Sequence, residues 1–549
     1  MSDNIVVVGG GHNGLVAAAY LAQAGKNVTV LERLDHLGGA AVSSYTFEGV
    51  DARLSRYSYL VSLLPQRIVH ELGLSIRLQR RRYSSYTPEP GTDRGLLVDN
   101  QDAAATAASF ASIGAADDAA AWYSFYADTA RVARVMFPTV CDPLLTRSEV
   151  RSALGDDALW SAIVERPIGA AIERAFASDL VRGVAMTDGL IGTFARASDE
   201  SLAANRCFLY HVIGGGTGDW DLPVGGMGAV TDELANAAKK AGATLLTGAE
   251  VTSITPDGEV RYRRRNSERV VHGDTVLANI APFALEQLVQ AGLRRGGPTV
   301  GPHPAPPLPE GAQVKVNLML SRLPRLRDPL VDPAAAFGGT FHINELYSQL
   351  DAAYDTASSG SIPDPLPCEI YCHSLADPSI LGGELADSGA HTLTVFALHT
   401  PDRLLGTNEP RGADEPPGTA EPPGIAETQV ATNDAMRERL QSAVLDSLDS
   451  VLAEPIADVL LPDAQGRPCV ETKTTFDIQE ALRMPGGNIF HGPLCWPFAE
   501  DDAELATPAQ RWGVDSGYDR ILLCGSGARR GGAVSGLGGH NAAMAVLER

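Results

Sequence analysis

Paired cysteines are the first thing missing. The 549-residue chain has seven cysteines at irregular intervals, too few and too scattered for a secreted disulfide scaffold, and a reducing compartment suits them better. No cysteine pair follows the first nucleotide motif, so dithiol reductase chemistry has no dithiol where it needs one. Cys368, Cys372 and His373, with His391 or His399 nearby, form the only grouping of metal-ligating types, in a spacing that matches no common zinc pattern; no metal is expected. Basic charge is scarce too. Against 67 acidic residues stand 44 basic ones, a formal charge of −23 that repels nucleic acid and anionic membrane surfaces. The basic runs at Arg77, Arg80, Arg81 and Arg82, and at Arg261, Arg263, Arg264 and Arg265, read as solvated strand faces. No window holds the roughly 20 uninterrupted apolar residues of a spanning helix. Met1-Ser2-Asp3-Asn4 leads straight into a strand, without the basic and apolar regions of a secretory signal. The expected location is the cytoplasm, with peripheral membrane contact left open.

What is present begins near the N-terminus. Ile5-Val6-Val7-Val8 runs into Gly9-Gly10-Gly11-His12-Asn13-Gly14 and an alanine-rich helix, expected from about Asn13 to Ala24 and stopped by Gly25. Gly9 permits the tight turn out of the strand, Gly11 lets the backbone approach a pyrophosphate, and Gly14 lets the helix pack close to the sheet. The free N–H groups at the helix start attract phosphate without a lysine. A second buried strand, Asn27-Val28-Thr29-Val30-Leu31, ends at Glu32, close to the spacing of a ribose-binding carboxylate; a 2′-phosphate would be repelled there, which favours FAD or NAD over NADP. The continuation Arg33-Leu34-Asp35-His36-Leu37-Gly38-Gly39-Ala40 resembles the Glu-x5-Gly-Gly extension of large FAD-dependent oxidoreductases, which implies FAD.

The glycine-rich, strand-rich segments fall into three blocks separated by two mixed regions, the pattern of a discontinuous nucleotide domain. Residues from about 100 to 205 read as helical, with apolar positions at helical spacing through Trp122, Phe125, Tyr126 and Val132. A second glycine run, Gly214-Gly215-Gly216-Thr217-Gly218, is followed at once by Trp220-Asp221-Leu222-Pro223 rather than by a helix, so a separate NAD(P)H domain is not expected. Pro223-Val224-Gly225-Gly226-Met227-Gly228 opens a helix to Lys240, and strands follow through Val251 and through Asp274 to Pro282. In the third block, Ile521-Leu522-Leu523-Cys524-Gly525 is a strand ending in glycine, and Gly531-Gly532-Ala533-Val534-Ser535-Gly536 leads into a last helix.

These three blocks together resemble the phytoene desaturase-like, carotenoid and retinoid oxidoreductase family within the amine oxidase superfamily. More narrowly, His12-Asn13-Gly14-Leu15 and Gly486-Gly487-Asn488-Ile489-Phe490-His491-Gly492 are similar to the bacterial relatives of pyridine nucleotide-disulfide oxidoreductase domain-containing protein 2. The resemblance is strongest over 4–64, 210–282 and 483–546. It implies an α/β fold: a discontinuous Rossmann-like FAD-binding domain of the glutathione reductase/amine oxidase type (1–75, 210–285 and 483–549), a largely helical lid (76–209) and a mixed α+β substrate domain (286–482). It further implies that FAD is held by Gly9, Gly11, His12, Asn13, Gly14, Glu32, Arg33, Gly38, Gly39, Ala40, Val251, Gly525, Gly532, Ala533, Val534 and Gly536, with the Val251 backbone at the adenine. The chain departs from the family at Arg529-Arg530, where relatives carry His-Pro, which puts cationic groups near the flavin or its entrance. It departs again in a Pro-rich insert near 404–430, read as a solvated, extended loop.

The expected chemistry is hydride abstraction from an apolar, isoprenoid or polyene-like molecule, with reoxidation by quinone or oxygen. A flavin amine oxidase, a redox-neutral flavin isomerase and a non-catalytic flavin-binding regulator are the alternatives. No Ser/His/Asp spacing or carboxylate pair rises above background. Arg53, Arg56, His342 and Arg529 are candidates for handling charge or protons, and no catalytic side chain is assigned. Oligomeric state is not legible.

Overall fold

The computed structural model describes residues 3–296, 306–406 and 425–549. One sheet draws its strands from three distant stretches of chain. Ile521–Leu523, Thr275–Ala278, Asn4–Val8, Asn27–Leu31 and Thr244–Leu246 lie side by side in that order and run parallel, with Asp515–Tyr518 antiparallel at the outer edge. Ile5, Val7, Val28 and Val30 are buried, as parallel strands covered on both faces require. The helix His12–Gln23 leaves the first strand and packs between the helices Met227–Ala241 and Leu537–Leu547. Its alanines keep it slim, and Gly14 lets it lie against the turn: a Cβ there would stand 2.3 Å from the Gly9 carbonyl oxygen. The expected α/β architecture, with its nucleotide-type sheet built from separated blocks, is the architecture found.

A second sheet of seven strands has the order Val470–Lys473, Val314–Leu320, His391–Ala397, Cys368–Tyr371, Thr340–Ile343, Tyr83–Pro88, Gly95–Asp99. Its pairings are antiparallel except between 340–343 and 83–88. Side chains alternate across it. Val316, Val395, Ile370 and Phe341 point into an apolar core closed by Leu440, Val444 and Leu448 of the helix Ile425–Val451. The intervening residues form polar and aromatic rungs on the other face.

Helices between Ala103 and Val212 cover that other face around a separate core that includes Trp122, Trp160, Phe176 and Phe208. Two strands, 83–88 and 95–99, fall inside the stretch 76–209 that the sequence assigns to a helical lid. They belong to the edge of the seven-stranded sheet, and the arginines at 80–82 hide the change of period that announces them. The basic runs are partly paired: Arg82 with Asp99 at 2.8 Å, Arg261 with Glu259 at 2.9 Å and Arg263 with Glu250 at 2.6 Å. Most of the Pro-rich insert, 407–424, lies outside the described residues. Among the described residues no helix is long and apolar enough to cross a membrane.

Candidate functional site

One cavity of 1110 Å³ runs from the glycine loops of the parallel sheet, across the polar face of the seven-stranded sheet, to the underside of the helices. At the nucleotide end its wall includes Gly9, Gly11, His12, Asn13, Glu32 and Arg33, continues with Gly39, Ala40 and Val251, and is closed from the third block by Gly532, Ala533 and Val534. Three blocks separated by hundreds of residues therefore meet on one surface. Gly14, Gly38, Gly525 and Gly536 are not on that wall. Gly14 and Gly525 pack against Asn279, Gly38 donates its N–H to the Gly10 carbonyl at 2.9 Å, and Gly536 precedes the last helix in the left-handed conformation.

The geometry suits an adenine dinucleotide. Gly11 and Gly39 approach so closely that a Cβ on Gly39 would lie 3.2 Å from the Gly11 Cα, leaving bare backbone facing the cavity. The Asn13 amide is buried with both its nitrogen and its oxygen unpartnered, at the start of the helix where an anion is favoured. Glu32 is clamped in place: Oε2 accepts from the Gly10 N–H at 2.7 Å and Oε1 from the Leu34 N–H at 2.8 Å. Each oxygen keeps acceptor capacity for a hydroxyl pair. Arg33 donates to the Ala481 carbonyl at 2.5 Å, which ties the wall to the substrate domain. His12 Nε2 lies 3.1 Å from the Ala533 carbonyl oxygen, joining the first block to the third. Burial lowers the His12 imidazole to about 4, so it is neutral at physiological pH.

The floor is the polar face of the seven-stranded sheet. One rung across four neighbouring strands reads His342, Glu369, Phe396, Lys315, and the next carries Tyr371, Thr394, Asn317 and, on the adjoining strand, Glu471. His342, Glu369, Tyr371, Phe396 and Lys315 all line the cavity. Burial depresses the Lys315 amine to about 7; its Nζ donates to the Ser55 carbonyl at 2.8 Å and sits 5.2 Å from the centre of the Phe396 ring. Burial raises Glu369 to about 8 and Asp188, on the opposite wall, to about 6. His342 Nδ1 lies 2.5 Å from Glu345 Oε2, with both side chains buried. Tyr59, Tyr371 and Phe396 make an aromatic corner, with ring centroids 4.8 Å and 5.9 Å apart in successive pairs. At the far end the roof is Leu63, Trp122, Tyr126, Val184, Ile191 and Tyr210.

Of the residues singled out for charge or proton handling, only His342 is on the wall. Arg56 is paired with Glu471 at 2.7 Å, and Arg53 is exposed on the short strand Arg53–Ser55. The placement of Arg529 and Arg530 at the flavin or its entrance is corrected. Arg529 turns away to Glu504 at 2.9 Å, while Arg530, buried, donates to the Thr139 and Asp142 carbonyls, each at 2.9 Å. Nor do the Cys368, Cys372 and His373 side chains converge. Cys368 faces the apolar core, Cys372 contacts Ser374, and His373 Nε2 lies 3.2 Å from the Pro223 carbonyl oxygen.

Lys315, Glu369, Asp188 and Glu345 were not found from sequence, nor was the grouping of Glu369, Asp188 and Glu345 around His342. The signal for two of them is local: Val-Lys-Val-Asn-Leu from Val314 and Cys-Glu-Ile-Tyr from Cys368 each alternate apolar residues with charged or polar ones, one charge per strand.

The family model described as flavin containing amine oxidoreductase matches residues 14–313. An uncharacterized protein of Mycobacterium tuberculosis is 54% identical over 563 residues, covering 100% of this chain and 98% of its own. Mouse pyridine nucleotide-disulfide oxidoreductase domain-containing protein 2 is 28% identical over 593 residues, covering 99% and 93%. Among solved structures, a redesigned putrescine oxidase superposes with a TM-score of 0.52 at 14% identity, over 100% of this chain and 98% of that one.

Proposed function

The chain belongs to the flavin-containing amine oxidoreductase family and is an FAD-dependent oxidoreductase, and from that premise we propose that it dehydrogenates a largely apolar substrate, of the isoprenoid or polyene kind, lying between the sheet floor and the helical roof. The observation that carries this reading is the far end of the cavity. Leu63, Trp122, Val184 and Ile191 offer hydrocarbon and ring faces to a substrate. Burying ten methylenes there would supply on the order of 8 kcal/mol without an ionic anchor.

FAD, when bound, supplies a two-electron acceptor that takes a hydride from carbon. The chain's own residues do the rest. Gly11, Asn13 and Glu32, with Gly39, Val251 and Gly532–Val534, would hold the cofactor's polar parts against the parallel sheet. Roof and floor enclose the substrate and exclude water, which strengthens every electrostatic interaction inside. The proton that leaves the substrate needs an acceptor. Lys315, at about 7, and Asp188, at about 6, are wall groups that exchange a proton near neutrality at little cost.

A second reading, amine oxidation, draws on the Tyr59–Tyr371–Phe396 corner, which presents ring faces suited to an amine-bearing carbon or a cation. Anaerobic mixing of the purified protein with monoterpene and carotenoid hydrocarbons, and separately with benzylamine and putrescine, separates the two. Bleaching of the flavin spectrum by the hydrocarbons supports the first reading. Bleaching by amines alone, with peroxide released on admitting air, overturns it in favour of the second. Quinone added after bleaching tests whether quinone or oxygen is the better reoxidant.

A further inference from the structure

We infer that His342, Glu345 and Glu369 bind one divalent transition-metal ion of the zinc or manganese type on the cavity floor, with a coordination position left open to the cavity. The backbone builds the set. His342 and Glu369 are directly opposed on neighbouring antiparallel strands, so both side chains leave the same face of the sheet. Glu345 is turned back onto them by Asn344, which holds a φ of +58°, a conformation few non-glycine residues adopt. Asn344 is fixed there by its own amide, which donates to the Leu366 carbonyl at 3.1 Å and the Ser447 hydroxyl at 3.3 Å. One donor atom from each of the three ligands lies within 4.8 Å of the others, and among the described residues no other set of His, Cys, Asp or Glu does this.

The charge balance asks for a cation. His342, Glu345 and Glu369 are exposed by 4%, 1% and 3%, and the carboxyl of Asp188 faces them across the cavity. The nearby cationic side chain Arg81 directs two of its donors elsewhere, with Nη1 on the Thr340 hydroxyl at 3.1 Å and Nε on the Trp220 carbonyl at 3.2 Å. Burying two carboxylates away from water is costly, and a divalent ion at their centre would offset that cost. Independent of charge, three buried oxygens beside the set have no partner: Glu345 Oε1, Ser85 Oγ and Thr87 Oγ1. The register Thr340 to Ser85 and Phe341 to Tyr86 places Ser85 and Thr87 on the His342 face. One imidazole and two carboxylates suit zinc, manganese or ferrous iron over softer ions, and three protein ligands leave room for one more. His342, Glu369 and Tyr371 line the cavity, so a further ligand would come from that side as an oxygen-bearing group: a hydroxyl or carbonyl on the substrate, or water.

The test uses FAD-loaded full-length protein treated with a chelator and desalted. Mn2+ is then titrated by electron paramagnetic resonance, and Zn2+ is counted by mass spectrometry after gel filtration. The expected result is one ion per chain, weakened at least about tenfold in His342→Ala and in the size-matched Glu369→Gln, with the flavin spectrum retained. Absence of stoichiometric binding of either ion in the wild type overturns the inference, leaving a proton-sharing cluster. So does equal binding in wild type and Glu369→Gln, which preserves side-chain volume and is the informative variant if His342→Ala does not fold.

Discussion

Replacing Lys315 with methionine isolates one electrostatic cost. Lys315 is 2% exposed, and its amine falls from an ordinary 10.5 to about 7 because burial disfavours the charged form. A shift of that size corresponds to about 5 kcal/mol of disadvantage for the protonated side chain in the folded protein. Between the folded value near 7 and the unfolded 10.5, the unfolded chain binds more protons than the folded one, so stability rises with pH across that window and is lowest below it. From pH 7 to pH 9 the wild type should gain about 2 kcal/mol that Lys315→Met, having no amine, does not. Other titrating groups are common to both proteins and cancel in the comparison. Guanidinium denaturation of the FAD-saturated proteins at pH 6, 7, 8 and 9, followed by tryptophan fluorescence, reads the difference. The variant should be the more stable at pH 6, with its advantage shrinking steadily to pH 9. Parallel pH profiles would show that Lys315 is hydrated or ion-paired in solution, and the reasoning from its burial would fail.

Three further substitutions probe the cofactor end and the backbone. Gly14→Val places side-chain atoms where a Cβ alone already stands 2.3 Å from the Gly9 carbonyl oxygen, and should abolish FAD retention, read by visible absorbance after gel filtration. Gly383→Ala, where a Cβ meets nothing within 4 Å, should stay within about 0.5 kcal/mol of wild type in thermal unfolding. Glu32→Ala removes the acceptor of the Gly10 and Leu34 N–H groups and should weaken FAD binding by at least about 1.5 kcal/mol, roughly tenfold, measured by quenching of flavin fluorescence. Full affinity in Glu32→Ala would mean that the carboxylate shapes the loop without touching the ligand.

The nucleotide end was legible because its physics is local. Gly9 to Gly14 and Glu32 sit within one strand–helix–strand unit, and Gly9 and Gly14 stand where a Cβ would collide with backbone at 2.5 Å and 2.3 Å. The convergence of the three blocks was also readable, since strands such as Ile5–Val8 and Val276–Ala278 are apolar throughout and only a sheet covered on both faces accepts them. The chemical floor was not. Lys315, His342 and Glu369 share one rung through strand register, and register is set by pairings that span tens of residues and leave no local mark. Arg529 and Arg530 misled for the opposite reason. Proximity in sequence to Gly532 suggested proximity to the cavity, but Arg530 adopts a φ of +68°, and its guanidinium is held at the Thr139 and Asp142 carbonyls instead.

The parallel sheet has a consequence for how the molecule comes into being. Its middle strand, Asn4–Val8, is made well before its partners: the neighbour strand Thr275–Ala278 and the packing helix Leu537–Leu547 follow hundreds of residues later. Closing loops of that length carries an entropic toll that local contacts do not. During synthesis, the alanine-rich helix His12–Gln23 must therefore wait with one greasy side uncovered, a natural handle for chaperones. Excising residues 1–75 as a stand-alone nucleotide binder should consequently give an insoluble peptide, whereas supplying the missing strands from a separate polypeptide offers a route to a split, reassembling flavoprotein.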